Sequence, residues 1–381
     1  GVTTARHNEN ELDAYYFVAD AKEGKATAPI AQDLLQDYFQ VTGNPVLLPE
    51  YAFYVGHLNA WNRDMWSSEA KDGYGKWQIK GSEPAGAGTG KVQYEKGGTG
   101  ASMQPGSHVE SLNGHGATEQ GENIPEGTDF PKEFSAQSRL DNYLENDMPL
   151  GYFLPNDGYG AGYGVNGFGK TGGVNDDGTS SAERLAAVAA NVQNLKEFTD
   201  YANGKGVATG LWTQSQLSPD SNPDTQWQLL RDFKAEVNTG GVTTLKTDVA
   251  WVGNGYSMAL DGVKTAYDII TEDVNFRPNI ISLDGWAGTQ RFAGIWTGDQ
   301  TGGNWEYIRF HIPTYIGQSL SGNPNIGSDM DGIFGGQPVI ATRDYQWKTF
   351  TPLMLDMDGW GSHVKSPQTH GDPYTGISRM Y

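Results

Sequence analysis

Acidic and amide side chains stand at the ends of the short apolar segments that recur along this sequence. Eight segments are typical of strands: 51–60, 148–157, 207–214, 243–250, 279–285, 293–299, a run ending at 325–331, and 352–361. Their ends carry Asn156, Asp157, Asp248, Asp284, Asp299, Asp329, Asp331, Asp356 and Asp358. A single Asp there is commonly a turn or cap residue, but carboxylates that converge divide into acid and base by shifting each other's pKa. Such a set, with aromatic surfaces, suits glycoside chemistry, and a metal-dependent hydrolase is the alternative.

Helical segments lie between several of these strands and complete the pattern of a (β/α)8 TIM barrel. One helix is predicted from the cap candidates Ser180 and Ser181 to Gly204, and another ends just before Gly240. A third helix is predicted near the start of the chain, ending at Gly43. Because a barrel places its chemistry at the carboxyl ends of the strands, the carboxylates above are expected at one mouth.

A long insertion, residues 61–147, separates the first two predicted barrel strands. It is rich in Gly, Ser, Asn and Glu, and insertions of this length are functional or disordered in most proteins. We therefore predict two regions: residues 1–45, which include a strand-like segment and an entry helix, and residues 46–381, which form the barrel with its insertion.

Composition excludes several classes of partner and site. The net charge of −20 and the pI of about 4.6 argue against nucleic acid and against an anionic membrane. The chain has no cysteine and no apolar stretch of membrane-spanning length. Because no histidine stands at the strand ends, a zinc or iron site is not expected. The acidic loops 174–178 and 220–224 are candidates for a structural calcium ion, although neither has EF-hand spacing.

The glycine-rich stretch 162–173 matches two nucleotide-binding patterns by chance. A phosphate loop needs its Lys and Thr at the start of a helix, whereas the helix after Thr171 is predicted to begin near Ser180. Asp176 and Asp177 would also repel a phosphate group. No nucleotide is expected, and the stretch is predicted to form a wall over the barrel mouth.

Residues 288–336 resemble glycoside hydrolase family 31. The motifs that carry the resemblance are QRFAGIWTGDQ, WEYIR, LSG and GSDMDGIF, in the family's order and spacing. The resemblance extends through RDYQWKTFTPLMLDMDG and back to DLLQDYFQVTGNPVLLPEYAF. It implies a barrel that performs retaining α-glycoside hydrolysis or α-glucosyl transfer, with no cofactor.

The resemblance also implies the two catalytic residues. Asp299 in IWTGDQ matches the acid/base, and Asp248 in LKTDVAW matches the nucleophile of the fourth barrel strand. Many family members read W-x-D-M-N-E in the segment that contains the nucleophile. The K-x-D found in this segment here resembles the nucleophile strand of related α-galactosidase-type families. Lys246 precedes Asp248 by two residues, so both side chains are expected on one side of a strand, where the cation would stabilise the ionised nucleophile.

Further positions are predicted to bind the sugar. Asp329 matches the family's G-[AS]-D residue, Asp157 matches a hydroxyl-binding Asp with Asn156 as the alternative, and Trp296 and Phe334 would form subsite walls. The remaining predicted contacts are Trp212, Trp251, Asp284, Trp286, Arg291 and Met357.

Two departures from the family bear on the donor sugar. Leu283 stands where many relatives carry an Arg, and Leu355-Asp356-Met357 aligns with their R-x-H. A donor pocket without these groups would admit an isomaltosyl unit. The phrases DMPLGYFLPNDGYGAGYG, LWTQS, LDGWAGTQR and RDYQWKTFTPL resemble a bacterial subgroup of 6-α-glucosyltransferases and 3-α-isomaltosyltransferases that form cycloalternan, and of hydrolases that degrade it. Transfer and hydrolysis both remain open at this point.

The resemblance implies flanking domains as well. Relatives continue after the barrel into C-terminal β domains, which are expected to be missing from this chain, and residues 1–45 are expected to include the tail of an N-terminal β-sandwich. The opening residues are no signal peptide, so any targeting segment would already be removed. The acidic, glycine-rich and cysteine-free composition is compatible with a secreted or cell-surface bacterial protein. The resemblance implies α-linked gluco-oligosaccharides as its partners.

Overall fold

The computed structural model describes most of the predicted barrel. The described residues are 16, 30–59, 76–79, 92–94, 107–109, 113, 118–120, 136–155, 181–214, 233–248, 256–298, 300, 302–332 and 338–358. Their strands, in chain order, are β1 (Val55–Asn59), β2 (Lys76–Ile79), β3 (Val92–Tyr94), β4 (Ser107–Val109), β5 (Thr118–Gln120), β6 (Leu150–Leu154), β7 (Ala208–Gln214), β8 (Thr244–Asp248), β9 (Asn279–Ser282), β10 (Gly294–Trp296), β11 (Ile326–Asp329) and β12 (Leu353–Asp358).

Helices precede or follow most of the barrel strands. They are α1 (Ile30–Thr42), α2 (Ala136–Glu145), α3 (Ser181–Gly204), α4 (Phe233–Asn238), α5 (Tyr256–Val274), α6 (Trp305–Leu320) and α7 (Pro338–Lys348). None of these described helices combines the length and the apolar character needed to cross a membrane.

Strands β1 and β6 to β12 close into a barrel in the order β1, β12, β11, β10, β9, β8, β7, β6, with neighbouring strands parallel. All eight predicted strands are confirmed, as are the predicted ends of α1 and α3. The strand-like segment predicted within residues 1–45, at positions 13–20, falls outside the described residues apart from Tyr16.

The insertion between β1 and β6 contains structure that the sequence did not predict. Strands β2 to β5 form an antiparallel sheet in the order β3, β2, β4, β5, and α2 leads into β6. The insertion thus adds a small separate sheet to the barrel.

Alternation along the barrel strands divides the core into two layers. Phe153, Leu211, Leu245 and Ile280 pack with residues of the surrounding helices. The neighbouring positions Tyr152, Leu154, Ile281, Trp296 and Leu355 pack together inside the barrel. Successive side chains of a strand point to opposite faces. Neighbouring residues such as Tyr152 and Phe153 therefore belong to different layers, one inside the barrel and one between the barrel and the helices.

Tyr152 fills the centre of the barrel beside a glycine. A Cβ atom at Gly56 would stand 1.9 Å from Cζ of the Tyr152 ring, so only glycine on the adjacent strand β1 leaves room for this ring. Tyr152 is fully buried, and this burial raises the pKa of its hydroxyl. The barrel below its mouth is therefore a packed core.

The amino-terminal end of the barrel is held by side-chain hydrogen bonds. The Tyr51 hydroxyl lies 3.0 Å from both the carbonyl oxygen and the hydroxyl of Thr243, just before β8. The Gln290 amide donates to the Gly43 carbonyl at 2.9 Å, which ties the end of α1 to the connection between β9 and β10. Gly43 has a φ of 89°, so α1 ends in the left-handed conformation that favours glycine.

Candidate active site

Three buried side chains meet near the carboxyl ends of β8, β10 and β11. The Trp296 Nε1 donates a hydrogen bond of 2.9 Å to Oδ2 of Asp329. The ammonium group of Lys246 lies 3.7 Å from the centroid of the Trp296 ring, within cation–π distance. Lys246, Trp296 and Asp329 are each at most 2% exposed, so a cation and a carboxylate are held in contact with one indole in a setting of low dielectric.

A small cavity lies beneath this arrangement. Its volume is about 10 Å³, close to the space that one water molecule needs. Lys246, Asp329, Tyr152 and Leu355 are among its lining residues. Lys246 and Asp329 therefore share this cavity with residues of the packed barrel core.

The predicted nucleophile lies at the expected end of its strand. Asp248 is the last residue of β8, and its backbone pairs with Gln214, the last residue of β7. Lys246 pairs with Trp212 two positions earlier. Trp212 is fully buried, and because its neighbour Leu211 packs outward, alternation places Trp212 on the inner side of the strand.

Some of the other predicted sugar contacts lie in the described part of the chain, and the rest do not. Asp284 and Trp286 lie in the segment that leaves the carboxyl end of β9, and both are half-buried. Burial raises the pKa of the Asp284 carboxyl, an effect that the Ser282 side chain partly offsets. Met357 pairs with Leu58 in the ladder between β12 and β1. Asn156, Asp157, Trp251, Asp299 and Phe334 fall outside the described residues, as do the candidate calcium loops.

The structure does not bring Arg291 to this site. It lies three residues before β10, and therefore at the amino-terminal end of the barrel. Its Nε donates to the Gly288 carbonyl at 3.1 Å, and its side chain packs where a Cβ atom at Gly43 would stand. The prediction of a substrate contact is wrong for this residue, because its segment leads into the strand from the end opposite the mouth.

Two carboxylates of the predicted ring have structural partners instead. Asp356 lies 3.3 Å from Nδ1 of the buried His57 and accepts a hydrogen bond of 2.9 Å from the Tyr345 hydroxyl. Asp331 accepts a hydrogen bond of 2.6 Å from the Gly303 amide. The cavity is lined by Asp329, two residues before Asp331, and by Leu355, one residue before Asp356. The ring of carboxylates is thus smaller than the sequence indicated.

Comparison with known proteins agrees with this geometry. The protein-family model described as "Glycosyl hydrolases family 31 TIM-barrel domain" matches residues 13–381. The chain belongs to glycosyl hydrolase family 31. The family resemblance predicted from residues 288–336 is confirmed, and with it the predicted TIM barrel.

Similar proteins include α-glucosidases and an α-xylosidase, and similar solved structures include cycloalternan enzymes. A probable glucan 1,3-alpha-glucosidase of Arabidopsis thaliana is 29% identical over 182 residues, which is 47% of this chain and 19% of the plant protein. The cycloalternan-forming enzyme of Listeria monocytogenes, solved with a pentasaccharide substrate, has a TM-score of 0.54 at 16% identity and covers 92% of this chain. The cycloalternan-degrading enzyme of Trueperella pyogenes has a TM-score of 0.50 at 13% identity and covers 90%. The chain spans 32% and 46% of these two structures.

Behind Asp329, this family 31 barrel has a buried polar network that sequence reasoning missed. Lys348 and Asp344 form an ion pair of 2.6 Å whose side chains are both fully buried. Tyr307 and Tyr315 bring hydroxyl groups from α6 to Ser328. An i,i+4 pair of opposite charge on a helix is commonly an exposed pair, so the sequence carried no sign of its burial.

A buried histidine beside this network gives a prediction for stability against pH. His311 is fully buried, and its Nδ1 and Nε2 lie 2.9 Å from the Tyr307 carbonyl and 3.2 Å from the Thr297 hydroxyl. Burial, together with the charge of Lys348, lowers the pKa of His311 from 6.5 to about 4. Between these values the unfolded chain binds the proton and the folded chain does not, so stability falls as the pH drops from about 6.5 to 4.

We expect His311→Gln to remove this part of the pH dependence. We compare the free energy of unfolding of the native protein with that of the variant. The native value minus the variant value should be smaller at pH 4.5 than at pH 7.5 by on the order of 2 to 3 kcal/mol. Urea unfolding of both proteins at the two pH values measures the change. Parallel pH curves for the two proteins would show that His311 is protonated equally in the folded and unfolded states.

Proposed function

We propose that this chain is the catalytic barrel of a retaining α-glucan glycosyltransferase. It would move a glucosyl or isomaltosyl group between α-linked gluco-oligosaccharides in cycloalternan metabolism. The observation that carries the proposal is the buried set of Lys246, Trp296 and Asp329 near the carboxyl strand ends, where Lys246 lies two residues before Asp248 on the same strand. A carboxylate, a cation and an indole there suit a sugar ring and the charge that develops on it.

The reaction would proceed in two displacements at the anomeric carbon. In the first, the Asp248 carboxylate forms a bond to that carbon while Asp299 gives its proton to the departing glycosidic oxygen. In the second, an acceptor hydroxyl loses its proton to Asp299 and attacks the same carbon, which releases Asp248. Two inversions retain the α configuration. Asp329 would bind hydroxyl groups of the donor sugar throughout.

The wall of the donor pocket supports a donor larger than one glucose. Leu355 is 6% exposed and packs with Trp296 and Ile281, at the position aligned with the R-x-H of many relatives. An apolar side chain cannot hold a terminal sugar by hydrogen bonds. Leu283, which is half-buried, packs against the same cluster in place of another expected Arg. An isomaltosyl unit is therefore the proposed donor.

Hydrolysis is the second candidate, and the α-glucosidase relatives favour it. The same two carboxylates would act, with water in place of the sugar acceptor. Either activity would need no cofactor, and a structural calcium ion remains a proposal. We also propose a secreted or cell-surface location and carbohydrate partners alone, without nucleotide, nucleic acid or membrane.

Product analysis tests the proposal directly. The protein is incubated with panose, isomaltooligosaccharides and cycloalternan, and the products are separated by chromatography. Transfer predicts products longer than the donor, formed at early times and promoted by added acceptor. Release of glucose or isomaltose alone would identify the hydrolase. Binding of these sugars without any product would overturn both enzymatic candidates and indicate a carbohydrate-binding protein.

A further inference from the structure

The ion pair of α7 lies directly behind Asp329. The ammonium group of Lys348 has three donors, and it contacts Oδ2 of Asp344 at 2.6 Å, the Asp329 carbonyl at 2.7 Å and the Tyr307 hydroxyl at 3.1 Å. Removing two charges from water is costly, and such pairs are retained in some proteins because they specify one geometry. Here the geometry specified includes the main chain of the proposed sugar-binding residue.

Asp329 is held at both its main chain and its side chain. Its carbonyl oxygen accepts hydrogen bonds from Lys348, from the Tyr307 hydroxyl and from the Gly332 amide. Its carboxylate accepts the bond from Trp296 described above. Because these partners come from α6, α7, β10 and the turn after β11, a shift of any one of them would move the carboxylate.

A second arm of the network runs from Asp344 to the segment after β10. Oδ2 of Asp344 accepts a hydrogen bond of 2.6 Å from the Asp331 amide, and Asp331 in turn accepts the bond from Gly303. A Cβ atom at Gly302 would stand 1.6 Å from the Asp331 carbonyl oxygen, so the two segments approach as closely as glycine permits. Asp344 thereby connects the β11 end to the chain that follows position 299.

We infer that Lys348, Asp344 and Tyr307 are positioning residues of this active site: they fix the Asp329 carboxylate and the Gly302–Gly303 segment relative to each other. The inference rests on the proposed function, because it gives these three residues their effect on the transfer reaction. None of them need contact the sugar. Their effect on turnover would come through placement, and a displacement of about 1 Å is enough to lower a rate by roughly a hundredfold.

Two variants and a matched control test the inference. Tyr307→Phe removes one hydroxyl from the network. The double substitution Asp344→Leu with Lys348→Met replaces the ion pair by apolar side chains, an exchange that other buried pairs tolerate without loss of stability. Tyr51→Phe is the control, since it removes a hydroxyl of the same kind from the amino-terminal end of the barrel. Thermal midpoints are recorded for all the proteins.

The kinetic readout compares an aryl α-glucoside, whose leaving group needs no proton, with an isomaltooligosaccharide. We expect both network variants to lower kcat/KM roughly tenfold or more on the oligosaccharide, with a raised KM and a smaller loss on the aryl substrate. Tyr51→Phe should change kcat/KM on either substrate by less than about twofold. Network variants that behave like Tyr51→Phe on both substrates would overturn the inference.

The indole N–H resonance of Trp296 gives a second readout that does not require activity. It is assigned by its loss in Trp296→Phe, and it should shift in both network variants but not in Tyr51→Phe, because Asp329 accepts that hydrogen bond. If the native protein turns over no α-glucoside while this resonance shifts as expected, the proposed function fails and the placement of Asp329 stands. An unshifted resonance in both network variants contradicts the inference.

Discussion

Asp248→Ala and Asp299→Ala are each expected to lower turnover of oligosaccharides by roughly four orders of magnitude, since each removes a residue on which the proposed reaction of these substrates depends. The two losses should differ in their response to leaving group. Without Asp299 an aryl α-glucoside still forms the glycosyl-enzyme, because its leaving group needs no proton. Without Asp248 no glycosyl-enzyme can form from any substrate. The proposed roles are therefore separable by kinetics.

Azide distinguishes the two roles by stereochemistry. In Asp248→Ala the azide ion enters the space of the missing carboxylate, attacks from the β face and gives the β-glycosyl azide. In Asp299→Ala it attacks the glycosyl-enzyme from the opposite face and gives the α-glycosyl azide. The β-glycosyl azide results from one inversion at the anomeric carbon, and the α-glycosyl azide results from two. They are identified by the coupling constant of the anomeric proton.

Asp261→Ala is the control for both variants, because this Asp lies on the exposed side of α5. It should keep native turnover and should yield no glycosyl azide. Native turnover in either active-site variant, or the same azide anomer from both, would contradict the assignment of nucleophile and acid/base.

Much of the barrel could be predicted because its signals are local. Most of the barrel strands are short segments rich in apolar residues and bounded by turn residues, and Gly43 and Gly204 mark helix ends. The sheet of the insertion could not be predicted in this way. Its strands are three or four residues long, and segments such as VQY and SHV are too short to show a period of two.

The sequence predicted the kind of site, but it did not predict all of the residues that form it. Asp329 was found through a motif, and the cavity places it beside Lys246. Asp356 looked equivalent, yet it pairs with His57 while Leu355 lines the cavity, since a difference of one residue along a strand changes the face. The network of Lys348 and Asp344 depends on how deeply α7 is buried against β11, a property of the tertiary structure that no local pattern carries.

Lys246 provides a second test with a large expected effect. Its ammonium group is buried against Trp296 and lines a cavity with Asp329, and β8 continues from it to Asp248. Removing this cation makes the ionised forms of nearby carboxylates less favourable. Lys246→Met keeps an unbranched side chain of similar length and removes only the charge and its donors.

We expect Lys246→Met to lower kcat/KM about a hundredfold, equal to about 2.7 kcal/mol of transition-state stabilisation, and to shift the remaining activity to higher pH. Lys264→Met is the control, because Lys264 pairs with Asp268 on the exposed face of α5, where an ion pair contributes at most about 1 kcal/mol to stability. The control should match the native pH–rate profile. A native profile for Lys246→Met as well would show that its charge does not act on the reaction, and the buried cation would then serve only to hold Trp296.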